Sequence, residues 1–455
     1  MIDMTVAKVA EYTGGTLHGG GAERAVTGAV RDNREVAPGL MFCALPGARR
    51  DGHEFIAAAL EAGAPCCLAQ RVPEGVSGPV VTVPDVAQAM ARLAARCREA
   101  VKVPVVGITG SSGKTTTKEM VACVLARRFN TLRTEKNFNN ELGVPLTIFR
   151  IGPETEAAVI ELGISHFGEM HRLGAMARPD IAVYTLIGRS HLEALGDRRG
   201  VLRAKTELLD EMPRDGLVVV NGDDDLLASL RCEQRKLTYG LGNGCNVRAE
   251  DYRCLGAEGS EFTVVSGAYR IETRVGAFGR HMVYAALAAA AVGIELGVPD
   301  ADIAAGIADY QPVGRRASVI NTGCLTIVDD CYNANPDSTQ MAILSAADLG
   351  GRLVCLLGDM LELGNRSAAE HYRIGRIAAA KVDMLYTYGT NSERMVSGAI
   401  TGGMKQKFVE HFDTHEDLAH MLKMRARPGD VILFKGSRGM RMEKALSLFL
   451  KEEES

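Results

Sequence analysis

The chain contains the segment Val103-Pro-Val-Val-Gly-Ile-Thr-Gly-Ser-Ser-Gly-Lys-Thr-Thr-Thr117, in which a short β-branched run leads into a glycine-rich turn and then into a helical pattern. A strand followed by such a turn aims backbone N–H groups and a helix N-terminus at one point, which suits a phosphate group. Lys114 adds a mobile positive charge, and the Thr115 hydroxyl can reach a Mg²⁺ ion. We therefore predict a nucleoside triphosphate site at Thr109, Gly110, Ser111, Ser112, Gly113, Lys114, Thr115 and Thr116.

The glycines of this loop differ from those of the commonest P-loop. That motif has a glycine five positions before Gly113, where this chain has Ile108, and the glycine is found at Gly110 instead. Triphosphate binding is still indicated, whereas the usual NTPase families are disfavoured. The alternative is an ordinary Gly/Ser turn before a helix, although Gly-Lys-Thr after a buried strand is seldom accidental.

Composition narrows the class of protein. The 455 residues exceed what one compact core usually holds, so about three domains are expected. A net charge of −4 argues against a dedicated nucleic-acid binder. The sequence shows no apolar run of membrane-spanning length and no secretory signal, and its eleven cysteines lack zinc or Cys-x-x-Cys spacing. We expect a cytoplasmic protein with reduced thiols and no membrane insertion.

Three blocks of different pattern predict an α/β protein with three domains. Residues 1–102 contain short, turn-rich strands and a helical pattern over 85–100, as in a small α/β domain. Residues 103–311 alternate strand and helix, which predicts a parallel sheet around the P-loop. After the interruption at 311–315, residues 312–455 alternate again, as in a Rossmann-like domain, but without the Gly-x-Gly-x-x-Gly of a dinucleotide site.

Several polar residues follow predicted strands, where open α/β sheets bind ligands. Glu161 ends an apolar run, and because a buried carboxylate is costly without a cation, it is a candidate metal ligand, with a helix cap or an ion pair as the alternative. His191 follows the next strand and fits a metal or phosphate ligand and a structural histidine equally well. The residues alone favour a surface lysine at Lys205. Asp330 could bind ribose hydroxyls, whereas Asx turns explain the asparagines after it.

Together these residues resemble the Mur ligases, the ATP-dependent amide-forming enzymes of peptidoglycan synthesis. The resemblance covers nearly the whole chain. Its central motifs are Gly107-Ile-Thr-Gly-Ser-Ser-Gly-Lys-Thr-Thr-Thr117, Glu161-Leu-Gly-Ile-Ser-His-Phe-Gly-Glu169, Ser190-His-Leu-Glu193 and Ala204-Lys-Thr-Glu207. The segments 32–47 and 51–56 are similar to a UDP-binding N-terminal domain, and Tyr332-Asn-Ala-Asn-Pro-Asp-Ser338 and Gly358-Asp-Met-Leu-Glu-Leu-Gly364 are similar to the member that adds a dipeptide.

The resemblance implies an activity. A ligase of this kind adds D-alanyl-D-alanine to UDP-N-acetylmuramoyl-tripeptide through an acyl phosphate, in the last cytoplasmic step of peptidoglycan precursor synthesis. The C-terminal domain would close over ATP and bind the incoming dipeptide. A monomer is expected, with no nucleic-acid partner.

The resemblance also implies roles for particular residues. Lys114 and the loop amides would hold the β- and γ-phosphates of ATP. Two Mg²⁺ ions would be held by Thr115, Glu161, His191 and Lys205, the last as a carbamate formed with CO₂. Asp330 would bind ribose, and Arg315 would approach the nucleotide on domain closure. The substrate would contact Asn137, Asn139 and Asn140 along the muramoyl-peptide and Asn33 and Arg34 near the UDP end.

One departure and several alternatives remain at this point. The family usually places asparagines around the adenine where this chain has Met282 and Ala285, which puts the mode of base recognition in question. The resemblance to a UDP-binding domain disfavours a folylpolyglutamate synthetase. The absence of an Asp-Asn-Pro-Arg motif disfavours the Mur ligase that adds lysine or diaminopimelate. A non-catalytic ATP-binding module would not need the set formed by Lys114, Thr115, Glu161, His191 and Lys205.

Overall fold

The computed structural model of the protein describes residues 1, 4–47 and 50–451. Its strands form three sheets of five, nine and six strands, which follow one another along the chain. Each sheet lies within one of the predicted segments 1–102, 103–311 and 312–455, and the exact boundary positions stay predictions. Among the residues described, no helix is both long and apolar enough to cross a membrane.

The first sheet has the strand order β1-β5-β4-β3-β2, and only its β1–β5 pair is antiparallel. The helix predicted over 85–100 is confirmed as α3, whose N-terminus is capped by the Asp85 side chain. It packs against α5 and α6 of the next segment. The elements of this part are α1 (Val6–Thr13), β1 (Thr16–His18), β2 (Gly28–Val30), β3 (Leu40–Cys43), α2 (Ile56–Glu61), β4 (Cys67–Ala69), β5 (Val80–Thr82) and α3 (Val86–Glu99).

The second part contains the longest run of strands and helices. Its elements are β6 (Val105–Thr109), α4 (Lys114–Ala126), β7 (Thr131–Arg133), α5 (Gly143–Ile148), β8 (Ala157–Glu161), α6 (Glu169–Ala177), β9 (Ile181–Tyr184), α7 (Leu192–Leu195), α8 (Arg198–Thr206), β10 (Leu217–Asn221), α9 (Asp225–Ala228), β11 (Arg235–Gly240), β12 (Val247–Cys254), β13 (Ser260–Ser266), β14 (Tyr269–Val275), α10 (His281–Glu295) and α11 (Asp300–Ala308).

The second sheet has the order β14-β13-β12-β11-β10-β9-β6-β8-β7. The predicted parallel sheet is confirmed from β7 to β12, whereas β13 and β14 extend it as antiparallel strands that the βα alternation did not predict. Strands β6, β8, β9 and β10 are buried along their whole length, as expected for a sheet covered on both faces. Because the chain leaves β6 toward β7 on one side and later returns to β9 on the other, a crevice forms at the carboxyl end of β6.

The third sheet has the order β15-β16-β20-β17-β18-β19 and is parallel except for its edge strand β15, which the sequence did not predict. Its elements are β15 (Ser318–Asn321), β16 (Thr326–Asp330), α12 (Pro336–Ala347), β17 (Leu353–Gly358), α13 (Ser367–Ala379), β18 (Met384–Tyr388), α14 (Glu393–Thr401), β19 (Val409–Phe412), α15 (His415–Arg425), β20 (Val431–Lys435) and α16 (Glu443–Leu450). Short 3-10 helices lie at Asn33–Glu35, Gly52–Phe55, Glu207–Glu211, Gly256–Glu258, Gly364–Arg366, Gln406–Phe408 and Arg438–Met440.

Candidate active site

A cavity of about 920 Å³ lies where the carboxyl ends of the central strands face the third sheet. Its floor is the loop at 111–117 together with Glu161 and His191, and its roof is formed by the third part of the chain. The asparagines at 137, 139 and 140 line one side of it. The structure therefore brings together most of the residues that the sequence singled out separately.

The phosphate loop is fixed by contacts with the neighbouring strand end. Gly110 has φ 149°, and a side chain there would collide with the Thr185 hydroxyl. That hydroxyl donates to the Ser112 carbonyl at 2.6 Å, and Lys114 Nζ donates to the Gly110 carbonyl at 2.8 Å. Ile108, at the position where the commonest P-loop has its first glycine, is fully buried in β6. The first glycine of this loop is Gly110, two residues later.

Glu161 has the features of a ligand for a cation. It is 2% exposed at the end of β8, and its Oε1 accepts a hydrogen bond from Asn139 Nδ2 at 2.8 Å. Its Oε2 is buried without a hydrogen-bond partner among the described residues. An unpartnered buried carboxylate oxygen is unfavourable unless a cation or a donor from outside the chain meets it.

The donor set fits Mg²⁺ bound together with phosphate. Within the described ranges there is no group of three or more His, Cys, Asp or Glu that could hold a metal ion alone. Glu161 and Thr115 both line the cavity and offer oxygen ligands, which Mg²⁺ prefers. Mg²⁺ usually binds to one or two carboxylates while substrate phosphates and waters complete its shell, so this sparse set suits a nucleotide-bound ion.

His191 lies at the opening of α7 in a left-handed conformation, with φ 54°. Its ring lines the cavity, and its Nδ1 lies 2.6 Å from a carboxylate oxygen of Glu362 in the third part. The two groups lie at the distance of an ion pair, but the geometry is not that of a hydrogen bond, and Nδ1 has no hydrogen-bond partner among the described residues. The hydroxyl of the preceding Ser190 is also buried without a partner in the part of the chain that is described.

Lys205 is buried, so the interpretation as a surface lysine, which the residues alone favoured, is wrong. It is 1% exposed on α8. Burial, with a smaller contribution from the charge of Lys114, lowers the pKa of Lys205 well below its ordinary value. Lys205 does not line the cavity itself, whereas Glu169, whose charge acts on it, does.

The structure places the predicted substrate residues in two regions. Asn137, Asn139 and Asn140 line the cavity, whereas Asn33 and Arg34 belong to a 3-10 helix of the first part and do not line it. Arg34 is largely exposed and pairs with Asp32. The two regions are neighbours, because Lys136 Nζ lies 3.5 Å from Glu35 Oε1.

The third part contributes charged groups at the ends of β16 and β20. Asp330 lines the cavity and accepts a hydrogen bond from Lys435 Nζ at 2.5 Å, and its role in binding ribose stays a prediction. Arg315 does not line it, because its guanidinium pairs with Asp329 at 3.2 Å. The neighbouring Arg316 does line it, with its guanidinium 3.7 Å from the centre of the Tyr332 ring. Arg316 is therefore the arginine of this pair that lines the cavity, and the role of Arg315 on domain closure stays a prediction.

Two residues at the start of α12, which the sequence did not identify as site residues, join the third part to the second. Asn335 caps α12 and also donates from Nδ2 to the Ser112 hydroxyl at 2.9 Å. Asp337 accepts a hydrogen bond from Arg189 Nη1 at 2.7 Å and another from the Arg189 backbone N–H. Asn-Pro followed by Asp is recognisable as a helix start, but the sequence does not indicate what lies across from it.

The comparisons with known proteins agree with this architecture. Family models match at residues 26–98 (Mur ligase family, catalytic domain), 108–293 (Mur ligase middle domain) and 315–438 (Mur ligase, glutamate ligase domain). The chain is 37% identical to the UDP-N-acetylmuramoyl-tripeptide–D-alanyl-D-alanine ligase of Bacillus subtilis and 34% identical to that of Escherichia coli, over 98% of each chain.

Solved structures give the same result. A crystal structure of MurF from Acinetobacter baumannii matches with a TM-score of 0.89 at 31% identity, covering 98% of this chain and 99% of that one. A MurF ligase from Thermotoga maritima in complex with ADP matches with a TM-score of 0.81 at 30% identity, covering 93% and 96%. These likenesses confirm the predicted three-domain α/β architecture.

Proposed function

The chain belongs to the Mur ligase family, and on that basis we propose that it adds D-alanyl-D-alanine to UDP-N-acetylmuramoyl-tripeptide at the expense of ATP. The observation that carries the proposal is that likeness to ligases of this name extends over nearly the whole chain and coincides with a cavity suited to the reaction. Both substrates and ATP are found in the cytoplasm, which is where we place the enzyme.

ATP would occupy the cavity with its phosphates at the loop. Lys114 and the loop residues 111–117 line that part of the cavity, and burial lowers the pKa of Lys114 while Glu161 opposes the shift. The Thermotoga maritima relative is a MurF ligase in complex with ADP, which supports nucleotide binding by this chain. Mg²⁺ bound by Glu161 and Thr115 would offset the charge of the transferring phosphoryl group.

Lys205 would act as a carbamate. Burial, together with the charge of Lys114 and against that of Glu169, favours the neutral amine, which can attack CO₂ to form an N–C bond and release a proton. The product is an anion, which Lys114 and a second Mg²⁺ near His191 would stabilise. This assignment explains why a lysine is buried within reach of the charge of another lysine.

The chemistry then takes two steps. The terminal carboxylate of the tripeptide attacks the γ-phosphorus of ATP, forming an acyl phosphate and releasing ADP. The amine of D-alanyl-D-alanine attacks the acyl carbon, phosphate leaves, and the amine loses a proton. Asn137, Asn139 and Asn140 would position the peptide, and Asn139 also orients Glu161 through its amide.

The closed arrangement of the third domain would keep water from the acyl phosphate. Asn335 on the Ser112 hydroxyl and Asp337 on Arg189 hold α12 against the loop side of the cavity. Excluding water matters here because an acyl phosphate hydrolyses when water can reach its carbonyl carbon.

Phosphate release measured with all combinations of substrates tests the proposal. We expect release only when ATP, Mg²⁺, UDP-N-acetylmuramoyl-tripeptide and D-alanyl-D-alanine are all present. Turnover with a single amino acid such as lysine or diaminopimelate in place of D-alanyl-D-alanine, and none with D-alanyl-D-alanine itself, would assign the chain to a neighbouring ligase. ATP binding with no release under any combination would favour a non-catalytic module.

A further inference from the structure

Two buried polar atoms at one end of the cavity have no hydrogen-bond partner in the described part of the chain. They are Nδ1 of His281, at the start of α10, and Oγ of Ser345, on α12. A Cβ added to Gly279 would lie 2.7 Å from the first and 3.4 Å from the second, so both atoms border one small space. A polar atom that is buried without a partner is unfavourable, which indicates that a partner comes from a ligand.

Two other polar side chains that line the cavity on this side are already engaged. The Tyr284 hydroxyl donates to Asp223 Oδ2 at 2.9 Å, and Asn221 Nδ2 donates to the Thr185 carbonyl at 3.0 Å. Among the described residues on this side, the buried polar atoms without a partner are those of Ser345, which is 3% exposed, and of His281.

The walls of the space suit a flat aromatic ring. Phe278 and Ala285 line it from the second domain, and Met341 and Ala342 line it from α12. None of these side chains can form a strong hydrogen bond, and Met282 is fully buried. A ring between these walls would be sandwiched by apolar surface and could be recognised only at its edge.

Helix α12 relates this space to the phosphate loop. Its N-cap Asn335 contacts Ser112 of the loop, and Ser345 lies ten residues further along the same helix. A rise of 1.5 Å per residue separates the two positions by about 15 Å along the axis, which is comparable to the length of an extended nucleoside triphosphate. With the phosphates at the loop, the base would lie beside Ser345.

We propose that Ser345 is a specificity-determining residue whose hydroxyl recognises the edge of the purine base, and that the site consequently accepts 6-amino and 6-oxo purines alike. The inference rests on the proposed function, since it takes the cavity as the ATP site. An amide that bonds two adjacent base atoms selects a donor beside an acceptor, as on adenine. The Ser345 hydroxyl can donate or accept, and His281 Nδ1 can do either according to its tautomer, so these two groups fit either substituent.

Calorimetric binding of nucleotides to the full chain with Mg²⁺ tests this without catalysis. We expect ADP and IDP to bind the wild type with Kd values within about threefold of each other, because one hydroxyl serves both. Ser345→Ala should weaken both by about fivefold, the usual effect of losing one neutral hydrogen bond. Tripolyphosphate, which has no base, should bind both proteins equally and so reports that the site is folded.

A matched pair of variants separates the hydroxyl from the packing. Ser345→Thr keeps the hydroxyl and Ser345→Val has the same shape without it, so only the valine variant should lose ADP affinity relative to the threonine variant. Equal ADP affinity in the two would overturn the role of the hydroxyl. A wild-type preference for ADP over IDP of roughly a hundredfold, the range of bidentate base recognition, would overturn the relaxed selectivity. A wild type that binds neither ADP nor tripolyphosphate would overturn the ligase proposal as well, which distinguishes the two failures.

Discussion

Replacing Asp337 with alanine should shift the third domain away from its closed position over the phosphate loop. Asp337 joins the domains through two hydrogen bonds, one from Arg189 Nη1 at 2.7 Å and one from the Arg189 backbone N–H. Glu370 lies 3.3 Å from the same guanidinium and would keep part of the attraction. The change removes contacts between domains without opening the core of either one.

The structure gives the size of the effect. The side chains of Asp337 and Arg189 are 18% and 31% exposed, so water screens the pair only in part. Hydrogen bonds to charged groups contribute about 1.5–3 kcal/mol when buried, and exposed ion pairs about 0–1 kcal/mol. An intermediate value of about 1.5 kcal/mol corresponds to a roughly tenfold fall in the ratio of closed to open molecules.

Two measurements detect this shift. Small-angle X-ray scattering should give a larger radius of gyration for Asp337→Ala, and kcat/KM for phosphate release should fall in proportion to the closed fraction, by up to about tenfold, because only closed molecules react. Glu250→Ala is a suitable control, since Glu250 pairs with Arg248 at 2.6 Å and Arg270 at 2.9 Å within the second domain. If both variants match the wild type in scattering and in kcat/KM, the Asp337–Arg189 contact does not hold the third domain closed.

Three further predictions concern single side chains. Lys205→Ala should lower the rate of phosphate release roughly a thousandfold, because it removes a metal-binding anion. Added short carboxylates should restore part of that rate. Unchanged turnover would rule out the carbamate. Glu161→Gln should raise the Mg²⁺ concentration for half-maximal activity at least about tenfold, because the neutral amide replaces a carboxylate ligand; an unaltered Mg²⁺ titration would remove Glu161 from the metal. Burial lowers the pKa of His371 below 6.5, so the unfolded chain binds its proton more readily and stability should fall as the pH drops below 6.5. Urea unfolding at pH 7 and pH 5 should show a smaller loss for His371→Gln than for the wild type, and equal losses would contradict the assignment.

Local pattern predicts the floor of the site well. The strand before Thr109 and the strand that ends at Glu161 are short apolar runs, each followed at once by polar residues, and a parallel sheet brings such ends to one edge. The glycine at Gly110 marks the loop because only glycine tolerates its conformation beside Thr185. These features depend on residues close together in the chain, so the sequence contains them directly.

The roof of the site depends on contacts between distant residues, which local pattern does not specify. Asn335 meets Ser112 and Asp337 meets Arg189 only because the third domain packs over the loop. Arg316 faces the cavity because Asp329 holds its neighbour away, and nothing in the two adjacent arginines indicates which one does so. For the same reason only the family resemblance, and not the spacing around Lys205, indicated anything other than a surface side chain.

We propose that the chain joins the tripeptide carboxylate to D-alanyl-D-alanine through an acyl phosphate. An isotope experiment can follow the carboxylate oxygen through this reaction. UDP-N-acetylmuramoyl-tripeptide labelled with ¹⁸O in its terminal carboxylate is incubated with ATP, Mg²⁺ and D-alanyl-D-alanine, and the products are weighed by mass spectrometry. We expect one pentapeptide product per phosphate released, with one ¹⁸O atom transferred to that phosphate. Unlabelled phosphate, or phosphate formed without the pentapeptide, would contradict it.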